Sequence, residues 1–596
     1  MAVRSRQSVR ATGSPTRPRS VEKPPIEPGR LAEAGGVRLR SYQVGALPVI
    51  NRFLRRMKLE ELLRQHLPPD DPRTELPTAR ALLVLVRNLL VSREPIYGVG
   101  EWAVSFAPDV LDLYHDELPL LQDDRLGRCL DRMFDGGGPE FILAVTRQVV
   151  REFQVSLDEL HNDSTTVSFY GAYDEAREEG TLRGRPTHAI TWGHSKARRP
   201  DLKQLLYTLT VTEDGGVPVY FSSGSGNVVD DQTHIATWDL LCQLVGHPDF
   251  LYVADCKLAS RENLGHLARR GGRFVTILPR TRREDEEFRA RLRQNTDAIR
   301  WAVVYEVKEG DVVRDELSTC QEELASHDGY RLLWYRSTRK QELDRIARQE
   351  RIHRAIGQLR ELGGKLSGPR TRYRARAKVE AAVAKILDER DVAAYLTVGI
   401  AEQEQATYKQ ARRGRPNSQT PYVRHTRPQC ELSWEVNTAA LEEAERDDGV
   451  FPLLTNDRRL TAEQVLRAYK RQPLIEKRFS QFKTDFAVAP VYLKNVARIQ
   501  GLLAVYFLVL LVQTLLEREL RQSLARSGEA SLPLDPESRP CRRPTTRRVL
   551  DVLEPIQRHV VALPDGTEHT LATELTPLQR QLISLLGLPA DGYGVE

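Results

Sequence analysis

The chain has 596 residues, of which 40% are hydrophobic and 29% are charged, and its formal net charge is +6. That length exceeds one ordinary core and predicts several domains, with the composition of a soluble globular protein. The six cysteines are spread singly, which excludes the paired spacing of a zinc finger and favours a reduced, cytoplasmic protein.

The positive charge is unevenly distributed along the chain. Residues 1–30 hold seven Lys or Arg against two Glu, and residues 339–378 hold thirteen against four acidic residues. Such clusters indicate a polyanionic partner, nucleic acid above all. A solvated helix face has the same composition and is the alternative interpretation.

Two segments precede the first predicted sheet. Residues 1–36 contain five prolines and little that can pack, so they predict a disordered basic tail. From 37 to 155 apolar residues recur at spacings of three and four, as in LPVINRFLRRM, and predict an all-helical N-terminal domain.

The pattern over 156–283 is typical of a sheet with helices. Predicted strands cover 160–171, 204–211, 217–223, 250–255 and 273–279, and predicted helices cover 233–245 and 260–270. The order of three strands, helix, strand, helix and strand predicts a mixed sheet with helices on its faces.

A long segment, 284–447, interrupts this pattern and is interpreted as an inserted domain. It combines strand-like pieces with two basic helical pieces, 339–362 and 372–390. The sheet pattern returns over 448–526, which we expect to complete the core. Its predicted elements are a strand at 447–457 and helices at 461–470, 474–486 and 496–520.

The apolar run 501–516 is short for a membrane span, contains Gln513 and leads into a charged sequence. It predicts a buried core helix and no membrane association. The C-terminal tail, 527–596, begins as a linker rich in proline and arginine and ends in a short helix. We consider this tail a candidate for oligomerisation.

Two aspartates lie on predicted strands, where α/β sheets commonly carry their catalytic residues. Asp163 lies within the first predicted strand, and Asp255 ends the strand FLYVAD. Carboxylates are the ligands that Mg²⁺ prefers, and two ions about 4 Å apart can hold the attacking and leaving oxygens of a phosphoryl displacement. A lone aspartate at a strand end is also a common turn or cap residue.

A third carboxylate, Glu476, is followed seven residues later by Lys483. Seven residues are almost two helical turns, which predicts that both side chains share one helix face. Lys483 can hold a phosphate as a point charge. A weak surface ion pair is the alternative.

Five segments in chain order resemble an insertion-sequence transposase of the IS-four superfamily, whose catalytic core carries two aspartates and a glutamate (DDE). They are GHSKARRPDLKQ (193–204), GVPVYFSSGSGNVVDD (216–231), VADCKLASREN (253–263), DGVFPLLTND (448–457) and YKRQPLIEKRFSQFK (469–483). The branch signature is Tyr-x2-Arg-x3-Glu-x6-Lys, and Tyr469, Glu476 and Lys483 match it. Gln472 occupies the arginine position, and Arg471 stands one residue earlier.

The resemblance implies a multidomain α/β protein with a ribonuclease-H-like mixed sheet and helices on both faces of that sheet. The insertion interrupts this core, and the helical domain at 37–155 precedes it and binds DNA. It also implies roles for six residues: catalysis and the binding of two Mg²⁺ or Mn²⁺ ions by Asp163, Asp255 and Glu476, and contact with DNA phosphates by Tyr469, Arg471 and Lys483.

The implied activity is cut-and-paste DNA transposition, with metal-dependent cleavage at the transposon ends and strand transfer into target DNA. The implied partners are double-stranded DNA with terminal inverted repeats and a second copy of the chain, in the bacterial cytoplasm at the nucleoid. The insertion contributes arginines that line a DNA channel or, alternatively, a solvated helix face: Arg345, Arg348, Arg351 and Arg354.

Two rival functions stay open. One is another ribonuclease-H-like nuclease, such as a junction resolvase, against which the long insertion argues. The other is a degenerate copy that binds DNA without cutting it, against which the intact Asp163, Asp255 and Glu476 argue. Short terminal inverted repeats in the DNA beside the gene would favour the transposase.

Overall fold

The structure is a computed structural model, and it describes residues 37–196, 198–295, 299–366, 368, 371–486, 493–589 and 593. The predicted tail, 1–36, lies outside the described residues. The chain divides into two compact units. The first unit is formed by Met1–Phe250 and Gln472–Glu596, and the second unit by Leu251–Arg471.

The first unit begins with a short strand and a group of helices. These are β1 (Arg38–Gln43), α1 (Leu47–Arg56), α2 (Leu59–His66), α3 (Thr78–Val91), α4 (Val99–Val104), α5 (Asp123–Gly136) and α6 (Pro139–Phe153). Prolines stand in the first turns of α1 and α6, where the missing N–H removes no helical hydrogen bond. Helix α3 is buried along nearly its whole length, as expected of a helix that is apolar on all sides.

Antiparallel strands follow in the same unit. The elements are β2 (Glu159–Phe169), β3 (Gly180–Leu182), β4 (Arg185–Thr187), β5 (Lys203–Thr212), β6 (Pro218–Ser225) and α7 (His234–Val245). Strand β5 is buried throughout and pairs with β2 along one edge and β6 along the other. The three strands and the helix predicted over 160–245 are confirmed.

The second unit contains a parallel strand pair. Its elements are β7 (Leu251–Ala254), α8 (Arg261–Arg269), β8 (Arg273–Ile277), α9 (Arg283–Gln294), β9 (Trp301–Glu309), β10 (Val312–Cys320), β11 (Leu324–Ala325), β12 (Arg331–Ser337), α10 (Thr338–Leu366), α11 (Arg376–Glu389), β13 (Leu396–Gln410), β14 (Tyr422–Val436), α12 (Thr438–Glu445), β15 (Val450–Thr455) and α13 (Ala462–Lys470). Its sheet runs in the order β7-β8-β15-β12-β10-β9. Only the β7–β8 pair is parallel among these described pairs, and α8 is its crossover. The chain is therefore a multidomain α/β protein with a mixed sheet.

Strands β9, β10 and β12 come from the predicted insertion, yet they extend the same sheet as β8 and β15. One side of this sheet packs against α13 through Val465, Leu466 and Ala468. The predicted insertion begins at 284, where the preceding order of strands and helices is interrupted. The hydrogen-bonded ladder, which the periodicity of the sequence does not reveal, continues across that boundary.

Strands β13 and β14 form a separate two-stranded ribbon, paired from Leu396 and Val436 to Gln410 and Tyr422. The base of the ribbon packs on α10 and α11 through Cys430 and neighbouring apolar side chains. The sequence pattern predicts the base of both strands but not their extension, because the distal residues are polar on both faces.

The C-terminal part returns to the first unit. Its elements are α14 (Pro473–Ser480), α15 (Val496–Ser527), β16 (Leu532–Asp535), β17 (Arg539–Cys541), α16 (Thr546–Leu553), β18 (Gln557–Ala562), β19 (Glu568–Ala572) and α17 (Pro577–Leu585). Helix α15 is long and apolar enough to cross a membrane, but 94% of its most apolar window is buried inside the protein. It packs against α3 and α5, which confirms the predicted core helix.

The segment predicted as a tail is folded over most of its described length. Strand β18 pairs with β1 on one side and with β19 on the other, both antiparallel. Helices α16 and α17 both contact α15. Residues from both ends of the chain therefore share one small sheet in the first unit.

Helix α15 carries a fully buried carboxylate, Glu517. Arg478 Nη1 and Gln481 Nε2 donate hydrogen bonds to it at 3.0 and 2.9 Å. Arg521 and Lys477 lie at 3.2 and 3.4 Å. Arg478 is itself buried and also donates through Nε to the Gly216 carbonyl at 2.9 Å. This group, the Glu517 cluster, connects α14 to α15.

We expect Glu517→Gln to destabilise the first unit by about 3–5 kcal/mol, because it leaves the buried Arg478 guanidinium without its counter-charge. Urea unfolding followed by circular dichroism would measure the change. The matched control is Glu463→Gln, which removes an exposed partner of Arg467 and should cost less than about 1 kcal/mol. Equal stability of the two variants would contradict this account.

The same cluster predicts an acid-dependent loss of stability. Burial opposes ionisation of Glu517, but Arg478, Lys477 and Arg521 outweigh it and lower the pKa of Glu517 below its ordinary value. A lowered folded-state pKa means that the stabilisation is complete above about pH 4.3, the ordinary value for glutamate, and is lost as the pH falls through the folded-state value. Unfolding measured from neutral to acidic pH should therefore show a steeper decline for the wild type than for Glu517→Gln.

Candidate active site

Strand β2 presents Asp163 in a ladder of mostly buried residues. The segment is rich in threonine and serine between apolar residues, and it pairs with β5 so that Asp163 lies opposite Leu209. The side chain of Asp163 remains 24% exposed, and its Oδ1 accepts a hydrogen bond from the Ser164 N–H at 2.7 Å. Asp163 is thus held in place while one side of its carboxylate stays accessible.

Lys196 brings a positive charge to this carboxylate. Its Nζ lies 3.5 Å from Asp163 Oδ1 and 2.7 Å from Asp230 Oδ2. It also donates to the carbonyl and to the hydroxyl of Ser164, both at 2.7 Å. Lys196 belongs to GHSKARRPDLKQ (193–204), one of the five segments that resemble the transposase. The resemblance assigns no role to Lys196. One ammonium group therefore bridges two carboxylates from separate parts of the chain.

Asp230 begins a 3₁₀ turn, Asp230–Thr233, that leads directly into α7. Asp230 thus has a role in the turn as well as in the ion pair with Lys196. His234 follows in the first turn of α7 and is buried. Burial lowers the pKa of His234 to about 4, although Asp230 and Asp231 act in the opposite direction. The imidazole is therefore neutral near pH 7.

Lys483 is the second cation beside Asp163. It is half-buried, and burial together with the nearby Lys196 ammonium lowers its pKa, while the Asp163 carboxylate acts against that shift. We call Asp163, Ser164, Lys196, Asp230 and Lys483 the Asp163 cluster. Its two ammonium groups and two carboxylates converge although they come from four separate stretches of sequence.

Glu476 lies in the first turn of α14 and is exposed. Pro473 begins this helix. The prediction of one continuous α-helix through Lys483 is wrong, because a π-helical turn, Gln481–Asp485, replaces its last part. A π-turn has more residues per turn, so the seven-residue spacing no longer places Glu476 and Lys483 on one face. Their different exposure is consistent with this change of period.

Asp255 caps the end of β7 in the second unit. Its Oδ1 accepts the Lys257 N–H at 2.9 Å, and its carbonyl accepts the Thr276 hydroxyl at 2.6 Å. It is the N-cap of a 3₁₀ turn, Cys256–Ala259, which is the cap role that the sequence left as an alternative. Asp255 therefore lies at the end of a strand, as predicted. It has a local structural role in addition to any chemical role.

The remaining signature residues also lie in the second unit. Tyr469 is in α13 and packs against the apolar cluster beneath the sheet, and Arg471 is the C-cap of the same helix. The structure thus brings Asp163 and Lys483 together in the first unit, where Glu476 also lies. Asp255, Tyr469 and Arg471 belong to the other unit.

Gln472, which stands in the arginine position of the signature, has a buried partner that the sequence did not reveal. Its Oε1 lies 2.8 Å from Nδ1 of the fully buried His161, and its Nε2 donates to the Asn162 carbonyl at 3.3 Å. The second ring nitrogen of His161 lies 2.8 Å from Glu159 Oε1. His161 therefore joins the start of α14 to β2, two residues before Asp163.

The three residues proposed to hold a metal, Asp163, Asp255 and Glu476, are all carboxylates, the donor type of a hard divalent cation. The Lys196 ammonium lies between Asp163 and Asp230, so this position favours a cation. The donor chemistry therefore fits Mg²⁺ or Mn²⁺. Within the described part of the chain, no group of three or more His, Cys, Asp or Glu side chains is arranged to hold a metal ion.

We expect His161→Phe to cost about 1–3 kcal/mol, because the Gln472 side chain loses its partner inside the protein. The loss should be local as well as global, with faster hydrogen exchange of the α14 amides. Ser168→Ala, on the same strand and with a half-buried side chain, is the control and should stay within about 0.5 kcal/mol of the wild type. Unchanged exchange in α14 would show that His161 does not hold this helix.

Comparison with known proteins adds one finding outside the Asp163 cluster. Residues 39–146 match the model of a domain of unknown function, DUF4277. This stretch covers most of β1 and the helices from α1 into α6. No curated protein matches the chain.

Proposed function

We propose that the chain is a DNA transposase that cleaves transposon ends in a metal-dependent reaction and transfers the strands into target DNA. The observation that carries the proposal is the positive charge gathered at Asp163: Lys196 Nζ lies 3.5 Å from its carboxylate, and the half-buried Lys483 is near enough to interact electrostatically with both groups. The resemblance assigns Asp163 and Lys483 to one site, although they are far apart in the sequence.

The fold elements support a ribonuclease-H-like core. The first unit contains the antiparallel strands β6-β5-β2, and the second contains the parallel pair β7-β8 joined through α8. Asp163 lies on β2, and Asp255 directly follows the end of β7. Under the proposal, Asp163, Asp255 and Glu476 are the catalytic carboxylates.

The described residues supply the binding and orientation that phosphoryl transfer needs. Lys196 and Lys483 place two ammonium groups beside Asp163, where they can hold the non-bridging oxygens of one phosphate as point charges. Bound Mg²⁺ or Mn²⁺, two ions in the proposed mechanism, would activate water and stabilise the charge on the leaving oxygen. Tyr469 and Arg471 complete the set of proposed phosphate contacts, which fix register without reading sequence.

The proposal includes the setting of the reaction. Terminal inverted repeats and target DNA are the substrates, and two copies of the chain bridge two ends. The protein acts in the bacterial cytoplasm, at the nucleoid when bound to DNA.

The decisive experiment uses the purified chain, Mg²⁺ or Mn²⁺, and a duplex carrying the inverted repeats that flank the gene. We expect Glu476→Gln to lower strand cleavage by more than about 100-fold with DNA binding retained. Loss of a group that only supports a metal ligand already costs about 10–100-fold, and loss of a direct ligand should cost more.

The control for this experiment is Glu463→Gln, an exposed glutamate of α13 that pairs with Arg467. It should cleave like the wild type. Equal cleavage by Glu476→Gln and the wild type would remove Glu476 from the site. DNA binding by the wild type without any metal-dependent cleavage would instead identify a binding protein derived from a transposase.

A further inference from the structure

The distal half of the β13–β14 ribbon is built differently from its base. The base is anchored by Cys430, Leu432 and Trp434, which pack against α10 and α11. Beyond the pair Gln403–Gln429 the side chains turn outward on both faces, and Tyr408 is 65% exposed. An isolated two-stranded hairpin is only marginally stable in water. We therefore expect such a projection either to bind a partner or to carry charges that keep its exposed strands from pairing with other chains.

The charge of this projection is predominantly positive. Residues 403–429 contain six Lys or Arg and one acidic residue, Glu404. All six are exposed: Lys409, Arg412, Arg413, Arg415, Arg424 and Arg427. None of them forms an ion pair with another of the residues that the structure describes.

The basic helix α10, in the same unit, shows the opposite arrangement. The four of its arginines that were predicted to line a DNA channel are all neutralised by carboxylates. The pairs are Arg345–Glu342, Arg348–Asp448, Arg351–Asp391 and Arg354–Glu350. Arg348 is buried and therefore structural. These four arginines thus have their charge already balanced, unlike the six cations of the ribbon.

The length and width of the ribbon match the major groove of duplex DNA. Gln403–Gln410 spans eight residues on β13, which corresponds to roughly 26 Å at about 3.3 Å per residue. Two strands about 4.8 Å apart fit the major groove of B-form DNA, which is about 12 Å wide and accepts a β-ribbon. The deep, narrow major groove of an RNA duplex does not admit such an element.

Both faces of the ribbon carry cations, as contact with two phosphate backbones requires. Tyr408 lies opposite Arg424 on one face, with Tyr422 diagonally beside them. Because side chains alternate along a strand, Lys409 and its neighbour across the ladder, Val423, point to the other face. A ribbon lying in a groove would therefore meet one DNA strand with each face.

We propose that the distal ribbon, residues 403–429, is a DNA-binding arm that enters the major groove of duplex DNA and contacts its phosphates. This inference rests on the proposed function, since it names the element through which the protein holds its duplex. It concerns binding alone, so it can be tested without the cleavage reaction.

The test compares two triple variants of the full chain with equal changes in charge. One is Arg412→Gln, Arg413→Gln and Arg415→Gln at the tip of the ribbon. The matched control is Arg345→Gln, Arg351→Gln and Arg354→Gln, which removes the same charge from arginines that already have carboxylate partners. Fluorescence anisotropy on a duplex of arbitrary sequence would give the Kd at several salt concentrations.

We expect the tip variant to bind roughly tenfold or more weakly at low salt. Its slope of log K against log salt should fall by about 2 to 3, because each lost phosphate contact removes about 0.9. The control should keep the wild-type slope. In the wild type, bound duplex should also protect the tip from trypsin at Arg412 and Arg413, a readout that does not depend on the folding of a variant.

Several results would overturn the proposal. An unchanged slope in the tip variant, with no protection from trypsin, would show that the cations only prevent the exposed strands from pairing with other chains. Failure of the wild type to bind duplex DNA, or a preference for duplex RNA, would exclude this partner. Ribbon-dependent binding without any metal-dependent cleavage would support the arm and reject the proposed catalytic function, so the two failures are distinguishable.

Discussion

The first unit depends on one carboxylate, that of Glu517, which is buried away from water. Helix α15 is almost entirely apolar, yet it carries Glu517 at a fully buried position. Helix α14 has eight residues, too few for a stable helix without tertiary contacts. Arg478 and Gln481 fix it by donating to Glu517. The Glu517 cluster therefore determines the positions of Glu476 and Lys483, each of which is two residues from one of these donors.

A second contact fixes the other end of the same helix. Gln472, just before α14, is held by His161 on β2. Because side chains two apart on a strand point to the same face, His161 and Asp163 share one face of β2. Helix α14 is thus tied to the strand of the candidate aspartate and to the core helix α15. This double attachment explains how a short helix can hold candidate residues in defined places.

Sequence periodicity predicted the elements whose residues have local signals. Strands β2 and β5 contain β-branched and apolar residues, and the strand formers of β7 are followed directly by Asp255. The partner of Gln472 and the bridging role of Lys196 depend on residues distant in sequence, which no local pattern reports, and the apolar spacing did not distinguish the π-turn that contains Lys483 from an α-helix. The distal ribbon escaped prediction for another reason: with polar residues on both faces, it lacks the alternation by which a strand is recognised.

The pairing of β1 with β18 has a consequence for the synthesis of the protein. The second unit is continuous in sequence, so all of its residues are synthesised before α14–α17. The early helices, by contrast, must wait for α15 to cover α3 and α5, and β1 must wait for β18. A product terminated before Val496 would leave apolar helix faces and a strand edge uncovered, and such surfaces favour aggregation and degradation. The first unit can therefore close only after the second unit has been made, although its own helices are synthesised first.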